Sequence, residues 1–162
     1  MTNTLFSKYE PVLRTLDPAA LEAEIKQPKQ LLLERADHRG KTLEIAYAPF
    51  DHVNRGARIV IVGITPGRQQ MRNALLEAHR QLRGGRNAAE AIAAAKVFAS
   101  FSGPMRTNLI DMLDEIGIPP LLGLSSTGAL WNGAAGLVHF TSALRYPVFV
   151  DGANYSGQPS ML

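Results

Sequence analysis

Arg58-Ile59-Val60-Ile61-Val62-Gly63-Ile64-Thr65-Pro66-Gly67-Arg68 is the stretch on which the fold turns. The unbroken β-branched run from Ile59 to Val62 predicts a strand buried on both faces, as in the middle of a parallel sheet. It stops at Gly63-Ile64-Thr65-Pro66-Gly67. Glycine tolerates close backbone approach, while proline fixes φ and removes a ladder donor. An amphipathic helical pattern follows from Gln69. Strand, tight turn and helix together place a loop at the carboxyl end of a central strand, where open α/β sheets bind ligands. An ordinary strand-to-helix connection would show the same pattern.

On the amino-terminal side, Leu5, Phe6, Tyr9, Val12, Leu13 and Leu16 have helical spacing. Asp17-Pro18 is a helix start, with an N-cap residue followed by proline in the first turn. The second helix is expected to pause at Gln27-Pro28 and end near Gly40. Residues 1–40 therefore read as a helical cap on the sheet. Leu43, Ile45 and Tyr47 alternate as a half-buried strand. Asp51 and His52 lie in a turn-rich connection and are a weak catalytic signal as a pair; Asp51 otherwise reads as a turn residue and His52 as exposed or locally satisfied.

On the carboxyl-terminal side, Met71, Ala74, Leu75, Ala78 and Leu82 define the buried face of one helix, which Gly84-Gly85 ends. Asn87 caps an alanine-rich helix running to Ser100, and alanine favours both helix and close packing. Pro104 opens a third helix, and Pro119-Pro120 begins an extended connection. Residues 136–144 and 146–150 read as strands, with a turn at Asp151-Gly152. Helices interspersed with strands predict an α/β fold, a three-layer α/β/α arrangement with a mostly parallel central sheet, in a single domain over residues 1–162.

The chain has 162 residues, of which 46% are apolar and 19% charged, enough for a substantial core. It has no cysteine, which excludes disulfides, thiolate zinc sites and cysteine-ligated clusters, and which fits a cytoplasmic location. No apolar run reaches membrane-spanning length. The histidines lack metal-ligand spacing, and neither a P-loop nor a dinucleotide fingerprint is present. No metal or cofactor is therefore expected. Net charge is +3, but Arg68, Arg72, Arg80, Arg83 and Arg86 form a basic strip opposed locally by Glu77 alone. Such a strip suits a polyanion such as DNA, although a solvated helix face looks the same.

Three phrases in order carry a family resemblance. The first is Val62-Gly63-Ile64-Thr65-Pro66-Gly67. The second is Phe101-Ser102-Gly103 opening a helix, with Asp114-Glu115-Ile116-Gly117 at its end. The third is His139-Phe140-Thr141-Ser142 followed by Arg145-Tyr146-Pro147. Together they resemble the uracil-DNA glycosylase superfamily over residues 43–147. The resemblance implies a base pocket at the carboxyl ends of the strands, because a duplex hides the glycosidic bond. It implies water positioning by Thr65, stacking on Phe101 and base-edge reading by Ser142. Ile64, Pro66 and Gly67 would then line the base site, with Arg68, Arg72 and Arg145 contacting nucleic acid.

The sequence also departs from that family. Thr65 cannot act as a carboxylate base, and the Ser142 hydroxyl cannot reproduce the donor–acceptor pair of an amide. The closing His-Pro-Ser-type segment and the cysteines of the thermostable branch are absent. The resemblance thus implies either a piece of a longer protein or a reduced relative without glycosylase activity. Loss of the last strand would leave a sheet edge that self-association as a homo-oligomer could cover. Three functions follow as alternatives: base excision in DNA, non-catalytic binding of a nucleobase, nucleotide or DNA, and an interaction protein whose pocket is unused.

Overall fold

A computed structural model describes residues 4–157. Two helices open the fold, α1 (Thr4–Thr15) and α2 (Pro18–Lys26). Asp17 caps α2 by accepting the Ala20 N–H at 2.8 Å. The helical cap expected over residues 1–40 is shorter than that: α2 stops at Lys26, and residues 32–38 form a strand. Pro28 cannot continue the helix ladder. The buried Glu24 carboxylate then accepts the N–H groups of Lys29, Gln30 and Leu31 at 2.9–3.2 Å and turns the chain.

The strands form two sheets. In the first, β1 (Leu32–His38), β2 (Lys41–Ala46), β5 (Val148–Val150) and β6 (Ala153–Asn154) lie side by side in the order β1-β2-β5-β6, every pair antiparallel. In the second, β3 (Ile59–Gly63) and β4 (Val138–Ser142) are parallel and in register from Ile59 opposite Val138 to Gly63 opposite Ser142. The expectation of a mostly parallel sheet is therefore corrected: parallel pairing is confined to β3 and β4 among the described residues. Two tight hairpins account for the difference. Arg39-Gly40 and Asp151-Gly152 each place two successive residues at positive φ, the conformation that joins antiparallel neighbours. Gly40 thus turns a hairpin instead of ending a helix.

Four helices separate β3 from β4: α3 (Arg68–Arg83), α4 (Ala88–Ala99), α5 (Pro104–Glu115) and the short α6 (Ile118–Leu122). Two 3₁₀ turns follow, at Thr127–Trp131 and Ala135–Leu137. The prolines expected to extend the chain near residue 119 instead occupy the first turn of α6. Helix α3 buries the stripe read from its sequence, Met71, Ala74, Leu75, Ala78 and Leu82. Small residues on α4, notably Ala91 and Ala95, are fully buried beside that stripe in the same core.

The main core joins α1–α4 to the antiparallel sheet through Phe6, Tyr9, Leu13, Tyr47, Leu75 and Phe149, among others. A smaller core lies under β3 and β4 and buries Leu122, Leu130, Val138 and Phe140. The strand expected to be buried on both faces is partly buried on one, through Ile59 and Ile61. Val60 and Val62 are 56% and 60% exposed, because no further element among the described residues covers their face. The sequence shows no terminating element over residues 154–162; Asn154 ends β6, and residues 158–162 lie outside the described residues.

Candidate functional site

The loop after β3 and the loop after β4 meet at the carboxyl end of the parallel pair. Register continues beyond the strands: the Ala143 N–H donates to the Gly63 carbonyl and the Leu144 N–H to the Ile64 carbonyl, both at 2.9 Å. Above this floor lies a cavity of about 450 Å³. Its lining unites the three separated sequence phrases: Ile64, Thr65, Pro66 and Gly67 from the first, Phe101 from the second, and Ser142 with Arg145 from the third.

Two side chains of α3 fix the loops relative to each other. Gln70 accepts the Gly67 N–H at 3.1 Å and donates through Nε2 to the Ser102 carbonyl at 3.1 Å. Asn73 donates to the Ser102 hydroxyl at 2.9 Å. At the other wall, Asn154 caps α3 by accepting the Arg68 N–H at 2.9 Å. A methyl group on Gly67 would lie 3.0 Å from Asn154 Nδ2 and 3.1 Å from Gln70 Oε1, so glycine keeps both partners close.

Phe101 adopts a left-handed backbone, φ 53°, which costs a non-glycine residue about 1 kcal/mol or more. That conformation turns its half-buried ring back over the end of β3. A Cβ on Gly63 would touch the ring edge at 3.4 Å and the Ser142 hydroxyl at 3.5 Å, so all three groups converge. The ring also packs at a tilt on Phe140, with centroids 6.0 Å apart. Trp131 is a packing residue: it stacks on Phe140 at 4.6 Å and donates to the Ser100 carbonyl.

Thr65 donates its hydroxyl proton to the Tyr146 carbonyl at 3.0 Å. Its lone pairs stay able to accept a bond from a ligand N–H or a water. No carboxylate lines the cavity among the described residues. The adjacent acid, Asp51, is buried and accepts the hydroxyls of Tyr47 at 2.9 Å and Tyr146 at 2.5 Å. Burial, the Asp51 charge and these hydrogen bonds hold both phenols well above the ordinary tyrosine range.

One cation of the site, Lys96, is a residue that sequence reading missed. Lys96 of α4 lines the cavity while only 4% exposed, and its ammonium donates to the His52 carbonyl at 2.5 Å. Burial and the nearby Arg145 charge lower its pKa to about 8, with Asp51 opposing the shift. His52 and His139 are in turn held below the usual histidine range, first by burial and then by the Lys96 charge. The His139 ring is also satisfied locally, accepting the Asn54 N–H through Nδ1 at 3.4 Å. The missed signal was available: Lys96 follows Ile92 by four positions, on the same apolar stripe of an alanine-rich helix.

Two of the arginines expected to contact nucleic acid are engaged within the protein. Arg68 does not reach the cavity. Its guanidinium donates to the carbonyls of Ile25, Lys26 and Gly152 at 2.6–3.0 Å and lies over the Phe149 ring, so it ties α2 to the β5–β6 turn. Arg72 forms a two-pronged pair with Glu22 on α2. Arg80 pairs with Glu77 and Arg86 with Glu90, so acids from within and outside the strip neutralise much of it. Arg145, by contrast, is exposed and lines the cavity. Asn154, Tyr155 and Ser156 stand at its wall as well. Among the described residues no cluster of histidines and acids could hold a metal ion, and no helix is long and apolar enough to cross a membrane.

No protein-family profile matches the chain, and no solved structure matches it. Over 121 residues, 74% of its length, the chain is 40% identical to the uncharacterized protein YoxB of Bacillus subtilis. The matched residues amount to 47% of YoxB, so the chain spans about half the length of the curated relative it matches.

Proposed function

We propose that the cavity is a nucleobase site, in a protein that resembles uracil-DNA glycosylases and recognises a base in DNA or as a free nucleobase or nucleotide. One observation carries this reading. Thr65, Phe101 and Ser142, separated by as much as half the chain, converge on one cavity beyond the carboxyl ends of a parallel strand pair. The cavity has a size and composition suited to a small planar ligand: an aromatic face from Phe101, an acceptor or donor from Ser142, and a hydroxyl acceptor from Thr65.

The lining supports binding more directly than bond cleavage. Hydrolysis of an N-glycosidic bond needs a group to take the proton of the attacking water, and Thr65 cannot do so near neutral pH. The supported activity is therefore recognition of a base, with excision as the stronger claim. Equilibrium binding of free uracil and of uracil-containing single-stranded DNA tests the first. Phe101→Ala is expected to weaken binding by about tenfold, since base stacking on an aromatic side chain contributes about 1–3 kcal/mol. Unchanged affinity in that variant would overturn the site. Strand cleavage after alkali on uracil, xanthine and hypoxanthine substrates tests excision, and uncleaved substrates would leave only the binding function.

A further inference from the structure

The geometry points to an anionic group on the ligand: we infer that Lys96 and Arg145 form the receptor for a negatively charged oxygen group, carried either on the base or as a nucleotide phosphate. This deepens the proposed nucleobase site and rests on that reading for the rest of the ligand. Lys96 and Arg145 come from α4 and from the segment after β4, yet both line the same cavity. Lys96 is almost completely buried, its ammonium has one hydrogen bond, to a neutral carbonyl, and no acid lies within ion-pair distance of it among the described residues. A buried ammonium ordinarily neutralises or acquires a counter-charge.

The groups around it do not supply that counter-charge. Asp51 is the acid that acts on Lys96, and its attraction is smaller than the opposing effects of burial and Arg145. Two tyrosine hydroxyls already engage that carboxylate. His52 and His139, the other titratable neighbours, are held toward the neutral form. The cavity therefore carries surplus positive charge against largely apolar walls that include Phe50, Phe101, Met105 and Phe140. A ligand oxyanion supplies the missing charge, and a low-dielectric wall strengthens the pairing. The remaining N–H directions of the Lys96 ammonium and the planar fork of Arg145 are the donors such a group needs.

Calorimetric binding with the full chain at pH 7 tests this with paired probes: uracil against uracil-6-carboxylate, uridine against uridine 5′-monophosphate, and benzoate as an anion without a base edge. The charged member of at least one pair is expected to bind about tenfold tighter or more, the worth of a charge-assisted hydrogen bond. Which pair shows the preference tells a base-borne anion from a phosphate. The preference is expected to fall within about threefold of parity in Lys96→Gln, which retains a donor for the His52 carbonyl. In the unmodified protein it is expected to fade as pH rises above about 8. Arg145→Gln, at an exposed position, gives a second reading if Lys96→Gln does not fold. Equal binding of charged and neutral probes, or a preference that both variants preserve, would overturn the inference and leave the nucleobase site standing. Benzoate binding that depends on Lys96, with no binding of any base-bearing probe, would keep the anion receptor and overturn the nucleobase reading. Absence of binding by every probe overturns both.

Discussion

The two cores of this protein are built to different standards. The antiparallel sheet and α1–α4 enclose fully buried Leu13, Leu21, Tyr47, Leu75 and Phe149, with stacked Tyr9 and Tyr47 rings 4.2 Å apart. The parallel pair and α5 enclose far less: no side chain of α5 is buried, and Val60, Val62, Ile64, Met112, Ile116 and Leu121 are all more than half exposed. The cavity lies where these regions meet. Lys96, Gln70 and Phe50 reach it from the first, Phe101 and Ser142 from the second. The more deeply buried core thus holds Lys96 and the Gln70 brace, while the thinner one presents Phe101 and Ser142.

Substitutions can break this contrast. The largest effect is expected in the main core: Leu75→Ala should cost about 2–5 kcal/mol in chemical denaturation, the usual range for a fully buried leucine. A cost under about 1 kcal/mol would show that this core is as loose as the other.

Lys96 should behave in the opposite sense. Unfolded, it titrates near the ordinary lysine value, whereas folded it titrates at about 8. Between those values the unfolded chain holds the extra proton, so stability should rise as pH increases from about 8 toward 10.4, by about 3 kcal/mol in all. Lys96→Met should abolish that slope relative to the parent. It should also raise stability at pH 7 by about 1 kcal/mol, because it removes a poorly compensated buried charge. A lysine with a purely structural role would give destabilisation instead.

Gln70→Ala should sharpen the comparison at the seam. It removes bonds to both the 67 and the 102 loops, so a cost of about 1 kcal/mol in stability is expected, with a larger proportional loss in uracil binding. Equal binding by this variant would show that the loops are positioned without the brace. The smallest effect is expected on the open face of β3, where Val62→Thr should change stability by less than about 0.5 kcal/mol. A cost above about 1.5 kcal/mol would mean that this face is covered in solution.

Much of this molecule is legible from local sequence patterns. The α3 stripe, the Asn87 cap, the turn at Asp151-Gly152 and the strand-loop-helix at residue 63 are each written in nearby residues. Long-range chemistry defeats such reading. Residues 32–38 lack a clean alternation because most of that strand is exposed, so nothing in its pattern argues against helix. Ile59–Val62 has the composition of a buried strand, but coverage depends on neighbours that composition cannot specify. Arg68 looks like part of a basic strip, yet the partners of its guanidinium lie as many as 84 positions away. Thr65, Phe101 and Ser142 do line one cavity: each of their phrases carries its own local geometry, and only their convergence required the fold.

The Asn154 cap has a consequence for the order of assembly. It joins Arg68 across 86 positions, and its partner loop also depends on Ser102 through Gln70. Closing a loop of that span forfeits more chain entropy than closing the local helical turns that precede it. Helices α3 and α4 can pair early, whereas the wall of the cavity waits for β6. Ligand competence should therefore appear last during refolding, after helical signal has already recovered, and a chain cut before Asn154 should regain its helices without regaining the site.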